Sequence, residues 1–295
     1  MSALAALLDS LIDYAGLFPP AKLPMPEAVR QHAAYLRGPQ AASLGRFIVP
    51  LARLTEFETA HAALAEAGKN TAPWQLSVIA GVQPAADWAA IRDFHARQSR
   101  GRIVSVETKA GTPAEVAASV AGLPETLEAW IEISPAAPNL AALLAAVQAT
   151  GHGAKLRTGG VTPEAFPTPA AVARFLALCH GLGLVFKVTA GLHHPLRGDY
   201  RLTYEPGSPR GRMFGFLNVF LAATLLHHGG READACALLD DSDAAQFRAT
   251  PDALAWRQHH FTLAQLTAAR QHFCRSFGSC SFTEPLEGLH ELHWL

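Results

Sequence analysis

Charged residues stand at alternating positions inside short apolar runs of this 295-residue sequence. Glu107 and Glu132 lie in two of these runs, and Lys155, Arg157 and Lys187 lie in the next two. Successive side chains of a β-strand point to opposite faces of the sheet, so the charged side chains of each run share one face. Because the apolar face must pack against helices, the charged face is predicted to point into the interior of a barrel.

Such a cluster has either a structural or a functional meaning. Buried charges need partners, and replacing a buried ionic network with apolar residues is often neutral or stabilising. Ionisable groups with perturbed environments are concentrated where chemistry takes place. Five ionisable side chains at one place therefore favour a functional site.

Two lysines in one enclosed site have a specific chemical use. An uncharged lysine amine attacks a carbonyl group and forms a Schiff base, which is the electron sink for making or breaking a C–C bond. Burial and a neighbouring cation both favour the uncharged amine. Either Arg157 or Lys187 could supply that cation for Lys155, and Glu107 or Glu132 is predicted to transfer protons. This chemistry needs no cofactor.

The apolar runs alternate with helical segments along most of the chain. Helix-start signals lie between them, such as Thr112 with Glu115 around Pro113 and the pair Thr168-Pro169. Strands that alternate with helices predict βαβ units, and eight such units predict a closed α/β barrel of the (β/α)8, or TIM, type. Active sites of these barrels lie at the C-terminal ends of the strands. The predicted strands are 12–18, 46–50, 75–81, 103–109, 129–134, 154–158, 184–189 and 235–239.

The last hundred residues interrupt this rhythm. Residues 195–215 form a polar loop directly after the run with Lys187, so we expect the loop to cover the C-terminal mouth of the barrel. Residues 1–240 are predicted as the barrel, closed by the strand at 235–239. Residues 241–295 are predicted as a C-terminal extension packed on it, with a hairpin at 247–256 and a helix capped by Thr262 and Gln265.

The motifs around the two lysines resemble those of a known family. Gly-Ala-Lys-Leu-Arg-Thr-Gly-Gly at 153–160 is similar to the Schiff-base strand of the deoxyribose-phosphate aldolase family, and Lys-Val-Thr-Ala-Gly at 187–191 is similar to its second-lysine strand. Residues 11–14 and 76–81 resemble the first and third strands of that family, so the resemblance covers about residues 11–192. It implies a class I aldolase in which Lys155 forms the Schiff base and Lys187 activates it.

The sequence departs from the family near the expected substrate. Ser105 stands where the family has an acidic residue, with Glu107 one pleat further along, and Arg157 stands where the family has a small residue. The substrate is therefore left open beyond a small carbonyl compound. The residues expected to contact it are Arg157, Thr189, Ser105, Asp13, His193 and His194.

Histidine supplies the main alternative. His193 and His194 follow the run with Lys187, at the predicted rim of the site. One of them with Glu107 and Glu132 would form a divalent-metal site, and the protein would then be a metal-dependent lyase or hydrolase. A barrel that only binds a ligand, without catalysis, is the second alternative.

The composition excludes several classes of partner. With 24 basic and 25 acidic residues the formal net charge is −1, and no run of five like charges occurs, which argues against binding to nucleic acids or anionic membranes. No apolar run reaches the length of a membrane span, and the apolar N-terminus lacks the basic residues of a signal peptide. The four cysteines are irregularly spaced and predict free thiols. We therefore expect a cytoplasmic protein, and homo-oligomerisation stays open.

Overall fold

Parallel strands closed into a barrel form the centre of the protein in the computed structural model, which describes residues 1–66, 73–81, 83–97 and 101–295. The strands are β1 (Ile12–Tyr14), β2 (Leu44–Pro50), β3 (Trp74–Ile79), β4 (Gly101–Lys109), β5 (Glu128–Ile133), β6 (Gly153–Arg157), β7 (Phe186–Thr189), β8 (Gly198–Arg201), β9 (Arg210–Met213), β10 (Phe247–Ala249), β11 (Ala253–Trp256), β12 (His259–Thr262) and β13 (Cys274–Ser279). Eight of them close the barrel in the order β1-β13-β7-β6-β5-β4-β3-β2. The predicted (β/α)8 fold is confirmed.

Helices surround the barrel and bury their apolar sides against it. They are α1 (Ala3–Leu8), α2 (Met25–Tyr35), α3 (Leu54–Glu66), α4 (Pro84–Ala96), α5 (Pro113–Ser119), α6 (Leu140–Ala149), α7 (Pro169–Gly181), α8 (Phe216–His227), α9 (Glu232–Asp240), α10 (Leu263–His272) and α11 (Thr283–Glu291). The predicted caps are present: the hydroxyls of Thr112, Thr168 and Thr262 accept backbone hydrogen bonds at the starts of α5, α7 and α10. None of the described helices is long and apolar enough to cross a membrane.

The closing strand of the barrel differs from the prediction. Residues 235–239 lie within helix α9, and the buried residues of that helix, Ala235, Leu238 and Leu239, have the spacing of one helical face. The eighth strand is β13, which pairs with β1 on one side and β7 on the other. The segment predicted as an extension, 241–295, therefore contributes a strand to the barrel. It also contains the predicted hairpin, as β10 and β11, and a third strand, β12.

The loop at 195–215 lies over the C-terminal ends of the barrel strands, as expected. It contains the antiparallel hairpin of β8 and β9. Leu202 and Met213 from this loop line the cavity at that end of the barrel. Arg197, by contrast, pairs with Asp240 at 2.9 Å. The loop therefore presents an apolar inner surface to the cavity.

Candidate active site

The two lysines of the predicted site face the barrel interior from adjacent strands. Lys155 of β6 and Lys187 of β7 are register partners in the parallel pair. Their side chains are buried, with 6% and 0% of their surface exposed, respectively. The inward orientation predicted from strand alternation is therefore correct for both.

Glu107 of β4 joins the two lysines. Its Oε2 accepts a hydrogen bond from Lys155 Nζ at 2.9 Å, and its Oε1 accepts one from Lys187 Nζ at 2.8 Å. The Ser77 hydroxyl donates to Glu107 Oε1 at 2.9 Å, and the Ser105 hydroxyl donates to Ser77 Oγ at 2.9 Å. These contacts fix the orientation of the carboxylate at the centre of the barrel.

Two further carboxylates complete an ionic network. Glu132 Oε2 lies 2.9 Å from Lys155 Nζ, and Glu132 Oε1 lies 2.9 Å from Arg157 Nε. On the other side, Asp13 Oδ2 accepts a hydrogen bond from Lys187 Nζ at 2.6 Å. The lysine network, as we call this group, is a chain of three cations and three carboxylates: Arg157, Glu132, Lys155, Glu107, Lys187 and Asp13.

The charges of the network shift the pKa values of two of its carboxylates and of its deeper lysine toward the ionised forms. Burial alone would raise the pKa of Glu107, but Lys155 and Lys187 outweigh burial and hold that pKa far below its ordinary value. Burial would also raise the pKa of Glu132, but Lys155 and the guanidinium that contacts its other oxygen lower it. Burial would lower the pKa of Lys187, but Asp13 and Glu107 raise it. Lys187 is therefore a fixed cation at neutral pH.

A cavity of about 610 Å³ opens above this network, at the C-terminal ends of the barrel strands. Lys155, Glu132 and Arg157 border the cavity. Lys187 lies deeper and has no exposed side-chain surface. Of the two network lysines, Lys155 is therefore the one whose amine a ligand in the cavity can reach. The exposed side chain of Lys109, at the end of β4, borders the same cavity.

The loops after β6 and β7 form one wall of the cavity. Gly191 has a φ of +77°, and a Cβ there would lie 3.0 Å from the Cα of Gly159, so a side chain at this position would be strained and would crowd the neighbouring loop. The Thr158 hydroxyl donates to the Ala190 carbonyl at 2.7 Å and ties the two loops together. Thr189 borders the cavity, as predicted from the sequence.

His193 borders the cavity from the start of the loop that follows β7. Its Nδ1 lies 2.8 Å from Glu284 Oε2, and the Cys280 sulfur lies 4.0 Å from both ring nitrogens. Burial would lower the pKa of His193, but contacts with Cys280 and Glu284 raise it to about 10. The ring is therefore an imidazolium at neutral pH, whereas metal binding requires neutral histidine.

His194 occupies a different environment. Its ring stacks on Tyr200 of the loop hairpin, with 3.5 Å between the ring centroids. Burial and the charge of His193 lower the pKa of His194 to about 4. Across the part of the chain that the structure describes, no group of three or more His, Cys, Asp or Glu side chains is arranged to hold a metal ion.

Two of the expected substrate contacts lie below the cavity. Ser105 is fully buried and supports Glu107 through Ser77. Asp13 lies beneath the lysines and is held by Lys187. Both residues belong to the foundation of the network, and Arg157, Thr189 and His193 border the cavity itself.

Two hydroxyl groups of this foundation were not predicted from the sequence. Ser77 is an inward-facing residue of β3, between Leu76 and Val78. The alternation of inward and outward side chains therefore identifies Ser77 when it is applied to β3. Ser276 donates to Asp13 Oδ2 at 2.7 Å. It lies on β13, which was not recognised as a strand, so the sequence carried no usable signal for it.

Comparison with models of known protein families finds none that matches this chain. A search of curated proteins likewise finds no match.

Proposed function

We propose that this protein is a lyase of the class I aldolase type, in which Lys155 forms a Schiff base with a small carbonyl compound. The observation that carries the proposal is the access of the Lys155 amine to the C-terminal cavity while two buried carboxylates hold it. Lys187 also contacts Glu107, but its side chain has no exposed surface. The resemblance of residues 153–160 and 187–191 to the deoxyribose-phosphate aldolase family supports the same assignment of roles.

The charge balance of the lysine network suits this reaction. When a protonated lysine condenses with a carbonyl compound, the product is an iminium ion of the same charge, and the carbonyl oxygen leaves as water. Glu107 and Glu132 flank Lys155 Nζ and can stabilise the cation before and after the reaction. The net charge of the buried network therefore does not change, which avoids the cost of an unpaired buried charge.

Proton transfer is assigned to Glu132. The amine must lose one proton before it attacks the carbonyl carbon, and the oxygen must gain two protons before it leaves as water, one of them from the nitrogen that has attacked. Glu132 contacts Lys155 Nζ and also borders the cavity, so it can accept the first proton and return it to the leaving oxygen. Glu107 is more deeply buried and contacts both lysines, which suits a role in positioning them.

The cavity wall favours a substrate that also carries a negative charge. Arg157 is 47% exposed at the side chain, and the imidazolium of His193 borders the same space. An anionic group on the substrate would pair with one of these cations. The iminium then draws electrons from the neighbouring carbon, which permits the C–C bond to be made or broken.

Reductive trapping tests this proposal. The protein is incubated with a panel of small aldehydes and ketones, with and without a carboxylate or phosphate group, and is then reduced with borohydride. We expect a stable adduct in the intact mass of the wild-type protein. We expect no adduct with Lys155→Ala and an undiminished adduct with Lys109→Ala, because Lys109 borders the same cavity without carboxylate partners among the described residues.

The outcomes separate the alternatives. An adduct that survives Lys155→Ala would overturn the assignment. Activity that is lost to a chelator and restored by a divalent ion would support the metal-dependent alternative. Binding of a carbonyl compound without any trapped adduct would support a barrel that binds a ligand without catalysis.

A further inference from the structure

A second cavity, of about 570 Å³, lies at the opposite end of the barrel, where the strands begin. Gly45 of β2, Gln75 of β3 and Ser276 of β13 mark its position. Asp13 borders it from above, so the lysine network separates this space from the candidate active site. We call it the basal cavity. Schiff-base chemistry at the other end of the barrel makes no use of it.

The basal cavity carries an excess of positive charge. Four arginines line it, namely Arg37, Arg46, Arg270 and Arg275, together with the two carboxylates Asp13 and Glu128. Asp13 is paired with Lys187 inside the barrel, and Glu128 is paired with Arg46 at 2.6 Å. Among the described residues, the other three arginines have no carboxylate within ion-pair distance.

Arg270 is a cation held only by neutral groups. Its guanidinium donates to the carbonyls of Leu7, Asp9 and Cys274 at 2.7–3.0 Å. Burial lowers the pKa of Arg270 and outweighs the nearby acidic groups, Asp13 and Asp9 among them, which act to raise it. Carbonyl partners fix the position of the charge without neutralising it. Since no carboxylate of the described residues forms an ion pair with Arg270, an anion in the cavity would supply a direct countercharge.

Unused hydrogen-bonding groups lie in the same wall. The indole Nε1 of Trp130 and both ring nitrogens of His32 are buried and have no hydrogen-bond partner among the described residues. Trp130 is 3% exposed and His32 is 2% exposed, and both line the basal cavity. Buried polar groups without partners are rare in proteins and call for an explanation. A ligand that accepts hydrogen bonds provides one.

The remaining wall of the basal cavity is apolar, and the cavity is larger than an inorganic ion requires. Ala33, Leu36, Leu44 and Trp74 line it beside the polar groups. Apolar walls with a few placed polar groups are typical of sites for small organic molecules. The anionic part of the ligand would meet the arginines, and its apolar part would meet the tryptophan and leucine side chains.

We propose that the basal cavity is a binding site for a small organic anion, a carboxylate or a phosphate with a flat apolar body. Arg37 and Arg275 are exposed and free of carboxylate partners among the described residues, so they are the groups that donate to the anion. Arg270 supplies fixed charge behind them. This site is distinct from the proposed active site and does not depend on its chemistry.

Calorimetric titration of the full-length protein at low salt tests the proposal with three probes: phenyl phosphate, inorganic phosphate and phenol. We expect phenyl phosphate to bind more tightly than inorganic phosphate and phenol to show no binding. In the double variant Arg37→Ala/Arg275→Ala the affinity for phenyl phosphate should fall by about tenfold or more, because two charge-assisted hydrogen bonds are lost.

Two matched variants locate the binding site. Arg174→Ala removes an exposed arginine of α7, and Lys109→Ala removes an exposed cation beside the cavity at the C-terminal mouth. Both should keep the wild-type affinity for phenyl phosphate. The proposal is overturned if phenyl phosphate does not bind, if phenol binds as tightly, or if the affinity is lost in Lys109→Ala and kept in the double variant. Phosphate and carboxylate ligands are separated by repeating the titration with benzoate.

Discussion

The two ends of the barrel hold cavities of similar size, about 610 Å³ at the C-terminal mouth and about 570 Å³ at the base. The charged side chains around the two cavities are arranged differently. At the mouth the lysine network alternates cations and carboxylates, and Glu107 contacts both lysines. At the base Arg37, Arg270 and Arg275 have no carboxylate partner among the described residues. Asp13 lies between the two ends, and we count it with the mouth because it is paired with Lys187 of the lysine network.

This difference separates two ways of using buried charge. A balanced network can exchange protons and hold a cation that is formed covalently, because its net charge stays the same. An unbalanced set of cations instead attracts a countercharge from outside the protein. We therefore assign chemistry to the mouth and ligand binding to the base.

The largest expected effect is on stability at the mouth. Glu107→Gln keeps the size of the side chain but leaves two buried ammonium groups with one carboxylate partner fewer. Removing one partner of a buried ion pair costs about 3–5 kcal/mol. Urea denaturation at pH 7 should show a loss of this size in the free energy of unfolding.

The matched control is Glu56→Gln. Glu56 forms an exposed pair with Arg53 on the surface, with 47% of its side chain exposed. Such pairs contribute little, so the free energy of unfolding should change by less than about 1 kcal/mol. Equal effects of the two substitutions would contradict the description of the mouth as a tightly coupled network.

The second prediction concerns the pH dependence of the free energy of unfolding, to which the histidines at the two ends contribute in opposite directions. Burial lowers the pKa of His32 at the base from 6.5 to about 3. The unfolded chain therefore binds a proton that the folded protein does not, and stability falls as the pH decreases below 6.5. His32→Phe should reduce this fall, measured as the free energy of unfolding between pH 6.5 and pH 5.

His193 at the mouth should show the opposite dependence. Its pKa is raised from 6.5 to about 10, so its contribution to stability is complete below pH 6.5 and is lost as the pH rises toward 10. Denaturation of the wild type at pH 7 and pH 9.5 should show this loss, and His193→Gln should remove most of it. The same pH slope in the variant and the wild type would contradict the pairing of His193 with Glu284.

The smallest expected effect is the change in stability when one arginine is removed at each end of the barrel. Arg157→Ala removes the partner that holds Glu132 at 2.9 Å and should cost about 1 kcal/mol or more, because a largely buried carboxylate loses a hydrogen bond. Arg275→Ala removes an exposed cation without a carboxylate partner and should change stability by less than about 0.5 kcal/mol. Thermal denaturation of both variants measures the difference. A larger loss for Arg275→Ala would mean that the basal arginines are structural.

Much of the mouth was predictable from the sequence, since β4, β5, β6 and β7 each have one polar and one apolar face. That alternation located Glu107, Glu132, Lys155 and Lys187 on the inner face without knowledge of the fold. The partners of these residues were not predictable, because a contact such as that of Lys187 with Asp13 depends on strands that are 174 residues apart.

The closing strand could not be recognised for a different reason. Residues 235–239 form an apolar run that fits a buried strand as well as one face of a helix, and the packing of the fold selects the helix α9. The true strand, Cys274–Ser279, has the sequence Cys-Arg-Ser-Phe-Gly-Ser, without β-branched residues. The basal cavity was unpredictable too, because its arginines and aromatic residues come from distant parts of the chain that meet only in the fold.

The central claim is that the Lys155 amine is the reactive group, and mapping the position of a trapped adduct tests it most directly. The chain has five lysines, Lys22, Lys69, Lys109, Lys155 and Lys187, so peptide mass spectrometry can assign the label to one of them. At pH 7, after borohydride reduction with a carbonyl compound that binds, the label should lie on Lys155. Label on Lys109 or Lys187 with Lys155 unmodified would contradict the account.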